Sequence, residues 1–114
     1  MISRRSAQHY EWGKGCHGWH LLKRDELSVI QEQMSSGASE ARHYHTKARQ
    51  FFFVISGTAI LEVAGKAEVL GRHEAAEIAP GDLHQIANAS EDNLEFIVIS
   101  HPASHGDRVL TANP

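Results

Sequence analysis

Short apolar or alternating runs recur along this chain, and turn-forming residues end nearly every one of them. Such runs predict β-strands, because successive side chains of a strand point to opposite faces. No stretch keeps an apolar period of about 3.6 residues over three turns, so no long helix is expected. The predicted strands cover residues 18–22, 27–34, 50–56, 58–63, 66–70, 75–79, 83–88 and 94–100. Short strands at this spacing indicate an all-β sandwich or barrel.

Length and residue pattern predict a single domain. A chain of 114 residues falls within the usual size of one domain. We therefore treat residues 1–114 as one unit, with a barrel core over about residues 18–101. Residues 1–16 and 101–114 are polar and poorly patterned, so we expect them to form arms or loops around that core.

Composition narrows the choice of partners and compartment. A net charge of −3 argues against nucleic acid, whose binding proteins usually carry a basic face. The longest aliphatic and aromatic run, residues 51–55, is far shorter than the ~20 residues that span a membrane. Cys16 is the one cysteine, which allows no disulfide within the chain, and the first residues lack the apolar segment of a secretory signal. We therefore expect a cytoplasmic protein with no nucleic-acid or membrane partner.

The unusual feature of the composition is its nine histidines, two of which are His43 and His45. In an extended segment, residues that lie two apart point to the same face. Two imidazoles on one face form half of a metal site, because histidine is a common ligand for transition metals. This pair stands shortly before the apolar strand at residues 50–56, so its position makes both histidines candidate ligands.

The strand after the histidine pair begins with a polar residue. Gln50, Phe52 and Val54 share one face of this strand, and the intervening apolar residues share the other. A strand that is apolar on both faces is usually covered on both, which places Gln50 at the inner end of a buried strand. A buried amide needs a polar partner, and a metal ion is one candidate.

A third histidine follows a turn further along the chain, in the segment APGDLHQIAN from Ala79 to Asn88. Pro80 and Gly81 predict a tight turn. His84 then begins a strand, with Ile86 and Asn88 on the same face. A histidine in this place can meet the first two across the mouth of a barrel.

Together the two segments resemble the two motifs of the cupin superfamily, over about residues 20–100. The first motif is Gly, five residues, His-x-His, three or four residues, Glu, six residues and Gly; the positions with this spacing are Gly37, His43, His45, Gln50 and Gly57. In the second motif the matching positions are Gly81, His84 and Asn88. Three positions depart from the pattern: Gln50 replaces the glutamate, His73 replaces a glycine, and Pro80 is displaced by one residue.

The resemblance implies a double-stranded β-helix, or jelly roll, that holds a divalent transition metal. Carried over residue by residue, the metal ligands are His43, His45, His84 and Gln50. The candidate metals are zinc, nickel, iron, manganese and copper. Glutamine brings no charge, so the metal would keep more positive charge than with the family's glutamate and act as a stronger Lewis acid.

The resemblance also predicts a cavity and a partner. The residues expected to line the cavity are Phe52, Val54, Ile86 and Asn88, with His20 as a further inward-facing candidate. The outer face of the strand at residues 50–56 needs cover too, and single cupin domains commonly obtain it from a second copy. We therefore expect a homodimer that binds a small molecule.

Several functions fit this interpretation. The first is a metal-dependent enzyme acting on a small polar or anionic molecule, by isomerase, lyase or ring-opening chemistry. Dioxygenase chemistry is less favoured, because its iron sites usually keep a carboxylate ligand. The alternatives are a non-catalytic module that binds a small molecule or sugar, and a metal-free structural barrel. Glu32, Glu62 and Glu95 lie on predicted strands, but bulges can shift strand parity, so sequence alone assigns no general base.

Overall fold

A computed structural model describes residues 1–104 and 106–111, and its regular structure over these residues is all β. The strands are β1 (Gln8–Trp12), β2 (Cys16–Lys23), β3 (Ser28–Met34), β4 (His43–His45), β5 (Arg49–Ser56), β6 (Ala59–Val63), β7 (Lys66–Leu70), β8 (Ala75–Ile78), β9 (His84–Ala87), β10 (Leu94–His101) and β11 (Arg108–Leu110). Every strand predicted from the sequence is present, with ends displaced by about two residues at most. The described part of the chain has no helix that is long and apolar enough to cross a membrane.

The strands form two antiparallel sheets that pack as a jelly-roll sandwich. One sheet has the order β1-β2-β3-β10-β5-β8, and the other has the order β11-β4-β9-β6-β7. The all-β jelly-roll prediction is therefore confirmed. The expected barrel is not closed, because the hydrogen-bonded ladders form two separate sheets in the described residues.

The core lies between the inner faces of the two sheets. β5 and β10 pair with one register shift, between Glu95 and Phe96, and alternate side chains of both strands are buried, including Phe52, Val54 and Phe96. The Phe52 and Phe96 rings stack with their centroids 5.8 Å apart. Leu61 and Ile86 supply the facing side from the second sheet. Burial of each such side chain stabilises the fold by about 1.5–3 kcal/mol relative to exposure.

The prediction that both chain ends are arms or loops is wrong for two segments. Residues 8–12 form β1 on the outer edge of β2, and residues 108–110 form β11 on the edge of β4. Neither segment has an apolar alternation that would predict a strand. Each still forms one, because an edge strand can obtain its stability from backbone hydrogen bonds to its neighbour. These edge strands bring Tyr10 and Arg108 to the cavity described below.

A two-residue turn, Ala64 and Gly65, joins β6 to β7, and both residues have positive φ angles of 51° and 86°. This is the backbone of a type I′ turn, which matches the twist of a hairpin but strains any residue with a Cβ atom. Gly65 suits its position. Ala64 does not, because alanine carries a Cβ into the left-handed region.

We expect the Ala64→Gly substitution to raise the free energy of unfolding by about 1 kcal/mol, because it relieves this backbone strain. Urea denaturation would measure the change. The matched control is Ala67→Gly in exposed β7, which should lower stability because glycine weakens a strand interior. A destabilised Ala64→Gly variant would contradict the strain argument.

Candidate metal centre

Three histidines from two neighbouring strands meet at one end of the sandwich. β4 supplies His43 and His45, and β9 supplies His84, which pairs directly with His43. One ring nitrogen from each histidine lies within 4.8 Å of the corresponding atoms of the other two, and all three residues are buried. The structure thus brings together the three histidines that strand parity placed on inward faces, in an arrangement that can hold a metal ion.

Backbone carbonyls select the tautomer of two of these histidines. Nδ1 of His43 lies 2.8 Å from the carbonyl oxygen of Ala41, and Nδ1 of His84 lies 2.9 Å from that of Asp82. A carbonyl oxygen only accepts, so each Nδ1 carries the proton and donates it. In a neutral imidazole this leaves the lone pair on Nε2, the atom available to bind a metal.

The other ring nitrogens of the histidine cluster indicate that it can bind a metal. Nε2 of His84 and both ring nitrogens of His45 are buried and have no hydrogen-bond partner among the described residues. Leaving buried polar atoms without partners costs free energy, typically about 1–3 kcal/mol for each group. A metal ion would satisfy Nε2 of His84 and one of the two ring nitrogens of His45, so the donor set fits a metal.

Gln50 lies buried beside the histidines, at the inner end of β5. Its Nε2 donates a hydrogen bond to Oγ of Ser100 over 3.0 Å, and Ser100 is its direct partner on β10. The other amide atom, Oε1, is buried and lacks a hydrogen-bond partner within the described part of the chain. The amide is therefore held with its acceptor oxygen free, as a ligand through oxygen requires. That Gln50 is the fourth ligand stays a prediction.

Asp107, which precedes β11, holds the turn between His45 and Gln50. Its carboxylate accepts hydrogen bonds from the Thr46 hydroxyl and from the backbone N–H groups of residues 46, 47 and 48, the last three at 2.9–3.0 Å. The Thr46 hydroxyl bond is the largest cause that holds the pKa of Asp107 well below its usual range. A contact across about sixty residues fixes this turn, so sequence pattern gave no signal for it.

A cavity of about 140 Å³ adjoins His43, His45 and Gln50. Its other lining residues are Tyr10, Ile30, Glu32, Glu40, Phe52, Val98, Ser100, Ser104 and Arg108. Phe52 thus lies where the sequence placed it. The lining mixes a small apolar wall with several charged and hydrogen-bonding groups, and is more polar than the sequence indicated.

The other residues expected to line the cavity occupy different places. Val54 and Ile86 pack within the hydrophobic core. Asn88 is buried, and its side-chain amide donates to the carbonyl oxygens of Met34 and Asp92, so it ties strand ends together. His20 borders a separate pocket next to Lys23 and Ser28.

Two acidic residues of the cavity were not assigned to it from the sequence. Glu32 lies on the inward-facing side of β3, in alternation with the buried Ser28 and Met34. Its parity with Met34 predicts this face, but a bulge would reverse the parity, so the sequence alone does not assign Glu32 to the cavity. Glu40 lies between strands, where periodicity carries no information. Burial raises the pKa of Glu32 to about 7 and, together with the charge of Glu32, raises that of Glu40 to about 8.

This chain belongs to the cupin domain family, whose sequence model matches residues 30–100. The match covers the strands of both histidine segments. The family match therefore includes the three clustered histidines and most of the strands of the fold.

One curated protein is similar to most of this chain. The chain is 27% identical over 96 residues to a mannose-1-phosphate guanylyltransferase of Salmonella montevideo, a match that covers 84% of this chain and 20% of that protein. The chain therefore spans about a fifth of the length of this curated relative.

Solved structures show a similar fold at low identity. An RmlC-like cupin from Shewanella frigidimarina aligns with a TM-score of 0.82 and 20% identity, over 92% of each chain. The polyketide cyclase RemF from Streptomyces resistomycificus aligns with a TM-score of 0.83 and 17% identity, over 100% of this chain and 86% of that one. At such identities these similarities show the fold alone.

We expect the metal-free protein to lose stability relative to its His43→Gln variant as the pH falls. Burial is the main reason that the pKa of His43 is lowered to about 4, from an ordinary value of 6.5. The unfolded chain therefore takes up this proton first, so the contribution of neutral His43 is complete above about pH 6.5 and is lost toward pH 4.

Over this window the difference in unfolding free energy between the two proteins should shift by about 3 kcal/mol. Urea denaturation at a series of pH values, in the presence of a chelator, measures it. A difference that stays constant with pH would show that His43 is not held neutral by burial.

Proposed function

We propose that this chain is a metal-dependent cupin enzyme that acts on a small polar or anionic molecule, by isomerase, lyase or ring-opening chemistry. The observation that carries the proposal is the cluster of buried, unsatisfied ring nitrogens of His45 and His84 beside an open cavity. A structural metal site is usually closed by protein ligands, whereas a site that adjoins a cavity leaves room for a substrate.

The proposed metal ligands are the three histidines and the free oxygen of Gln50. All four are neutral when His43, His45 and His84 carry one proton each, so a divalent metal would keep its full charge. When bound, such a metal supplies Lewis-acid chemistry to a substrate oxygen. We retain zinc, nickel, iron, manganese and copper as candidates: imidazole ligands suit zinc, nickel, iron and copper, and the carbonyl oxygen of Gln50 suits manganese.

The cavity residues would select and orient the substrate. Arg108 offers a permanent positive charge for an anionic group, and its planar guanidinium matches a carboxylate or a phosphate. Phe52 and Val98 form an apolar wall that excludes water from one side. Ser104 can hydrogen-bond a polar substituent. A cavity of about 140 Å³ limits the substrate to a small molecule.

The test is the metal content of protein purified without an affinity tag. We expect about one divalent metal ion per chain, and its loss in His45→Ala, because that variant removes one of three clustered ligands. His73→Ala is the matched control, since His73 is exposed and lies outside the cluster. The measurement is elemental mass spectrometry after dialysis, followed by a screen for turnover of small anionic compounds.

The Gln50→Leu variant extends this test to the fourth ligand. Leucine is similar in size to glutamine and has no oxygen, so metal affinity should fall while the fold is retained. Unchanged affinity would remove Gln50 from the ligand set. No metal in any sample, even after incubation with each candidate ion, would overturn the proposed function, and metal binding without turnover would favour a binding module.

We also propose that the protein is a homodimer joined through the outer face of β5. Phe51 is 41% exposed on this face and is directly paired with Ile99, which is in turn paired with Val29 of β3. Phe53 and Ile97 form the next row of the same face. Such an apolar strip across three adjacent strands would be covered by the same strip of a second copy.

We expect Phe51→Lys to convert the dimer to a monomer, because it places a charge in the centre of the apolar strip. Sedimentation velocity measures the change in mass. The control is Val69→Lys, which changes an exposed apolar residue of β7 in the other sheet. A monomeric wild-type protein, or a dimer that is insensitive to Phe51→Lys, would contradict this interface.

A further inference from the structure

Two carboxyl groups, those of Glu32 and Glu40, face the same cavity as the histidine cluster. We propose that these two groups share one proton when no metal is bound, and that they release it when a divalent cation binds to the histidines. The pair would then provide the negative charge that Gln50 does not. This inference rests on the proposed metal site and adds to it a role for two residues outside the ligand set.

Both carboxyl groups lie at the cavity beside the metal site, and each is positioned by a different strand. Glu32 projects from the inner face of β3 into the cavity. Glu40 is anchored to β9, since its Oε2 accepts a hydrogen bond from the backbone N–H of Ile86 over 3.1 Å. Ile86 lies two residues beyond His84 on the same face of that strand. Glu32 and Glu40 also line a second pocket together with Tyr10 and Arg108, and the charge of Glu32 acts on Glu40.

Two adjacent carboxylates in a half-buried pocket cannot both remain charged at low cost. Burial disfavours the charged form of each, and the negative charge of Glu32 further raises the pKa of Glu40. Groups that interact in this way titrate as a pair, in two separate steps. Near pH 7 the pair therefore holds about one proton.

The other groups that face the pair do not remove this proton. Tyr10 of β1 is neutral, because burial and the two carboxylates raise its pKa above the usual value. The pKa values of His43, His45 and His84 are lowered, mainly by burial, so these rings are neutral near pH 7. Arg108 of β11 is the cation among the residues that line the two pockets, and it balances a single negative charge.

Binding of a divalent cation changes this balance. Its positive charge favours the ionised form of nearby carboxyl groups, so the shared proton leaves to solvent. The pair goes from one negative charge to two, and these equal the charge of the cation. The histidines cannot be the source of the proton, because they are already neutral. A water molecule on the metal is the remaining source, and its proton would still be released after removal of either carboxyl group.

The experiment counts protons during zinc binding to the metal-free protein. Isothermal titration calorimetry at pH 7 in PIPES and in HEPES gives this number, since the two buffers differ in ionisation enthalpy. The variants are Glu32→Gln and Glu40→Gln, and the control is Glu68→Gln on the exposed face of β7. We expect wild type and Glu68→Gln to release about one proton per zinc ion. Each single cavity variant should release less, because burial still holds part of the proton on its remaining carboxyl group, and the double variant Glu32→Gln/Glu40→Gln should release close to none.

The pH dependence of zinc affinity gives an independent check. Release of one proton makes the affinity of wild type rise about tenfold from pH 6 to pH 7, and the double cavity variant should show a much smaller rise. A third measurement needs no variant. Carbon-13 spectra of glutamate-labelled wild type should show a protonated carboxyl group at pH 7 that becomes a carboxylate when zinc is added.

The outcomes separate this inference from the proposed function. Zinc binding without proton release overturns the inference and leaves the metal site intact. Equal release by wild type and both cavity variants also overturns it, since the proton then comes from metal-bound water. Failure of wild type to bind zinc or any other candidate ion overturns both proposals.

Discussion

The inner faces of β5 and β10 carry the interaction on which the rest of the structure depends. Phe52 and Phe96 stack within the core, and the same alternation continues along both strands until it reaches Gln50 and Ser100. At this end of the two strands, two polar side chains replace the apolar pairs and form a buried hydrogen bond of 3.0 Å. The candidate metal centre is therefore the polar end of the hydrophobic core, and the packing that stabilises the fold also fixes Gln50.

The centre differs from the family pattern in the location of its negative charge. Where the pattern has a glutamate ligand, this chain has an amide, and the acidic groups lie instead at Glu32 and Glu40 in the adjoining cavity. In the proposed site, a neutral ligand would leave the metal more electrophilic, and the acidic neighbours would limit the cost of holding a divalent cation. The Lewis acidity of the metal would then depend on Gln50, and the stability of its binding would depend in part on Glu32 and Glu40.

The C-terminal segment organises this centre although it lies far from the motifs in sequence. β11 pairs with β4, and Asp107 fixes the backbone between His45 and Gln50. The same segment places Arg108 in the cavity opposite the acidic pair. Residues outside the cupin match, which ends at residue 100, thus contribute to the shape and charge of the site.

The sequence by itself determined the strands of the core, their inner faces and the identity of the clustered histidines. These features follow from the two-residue period of a strand, which is a local property and can be read wherever apolar side chains mark the buried face. Tertiary structure decided the rest. Glu40, Tyr10 and Arg108 reach the cavity from edge strands and a loop that have no period, and their positions depend on pairing with distant strands. The assignment of Glu32 to the cavity face required the register of β3 against β10, because strand parity alone does not exclude a bulge.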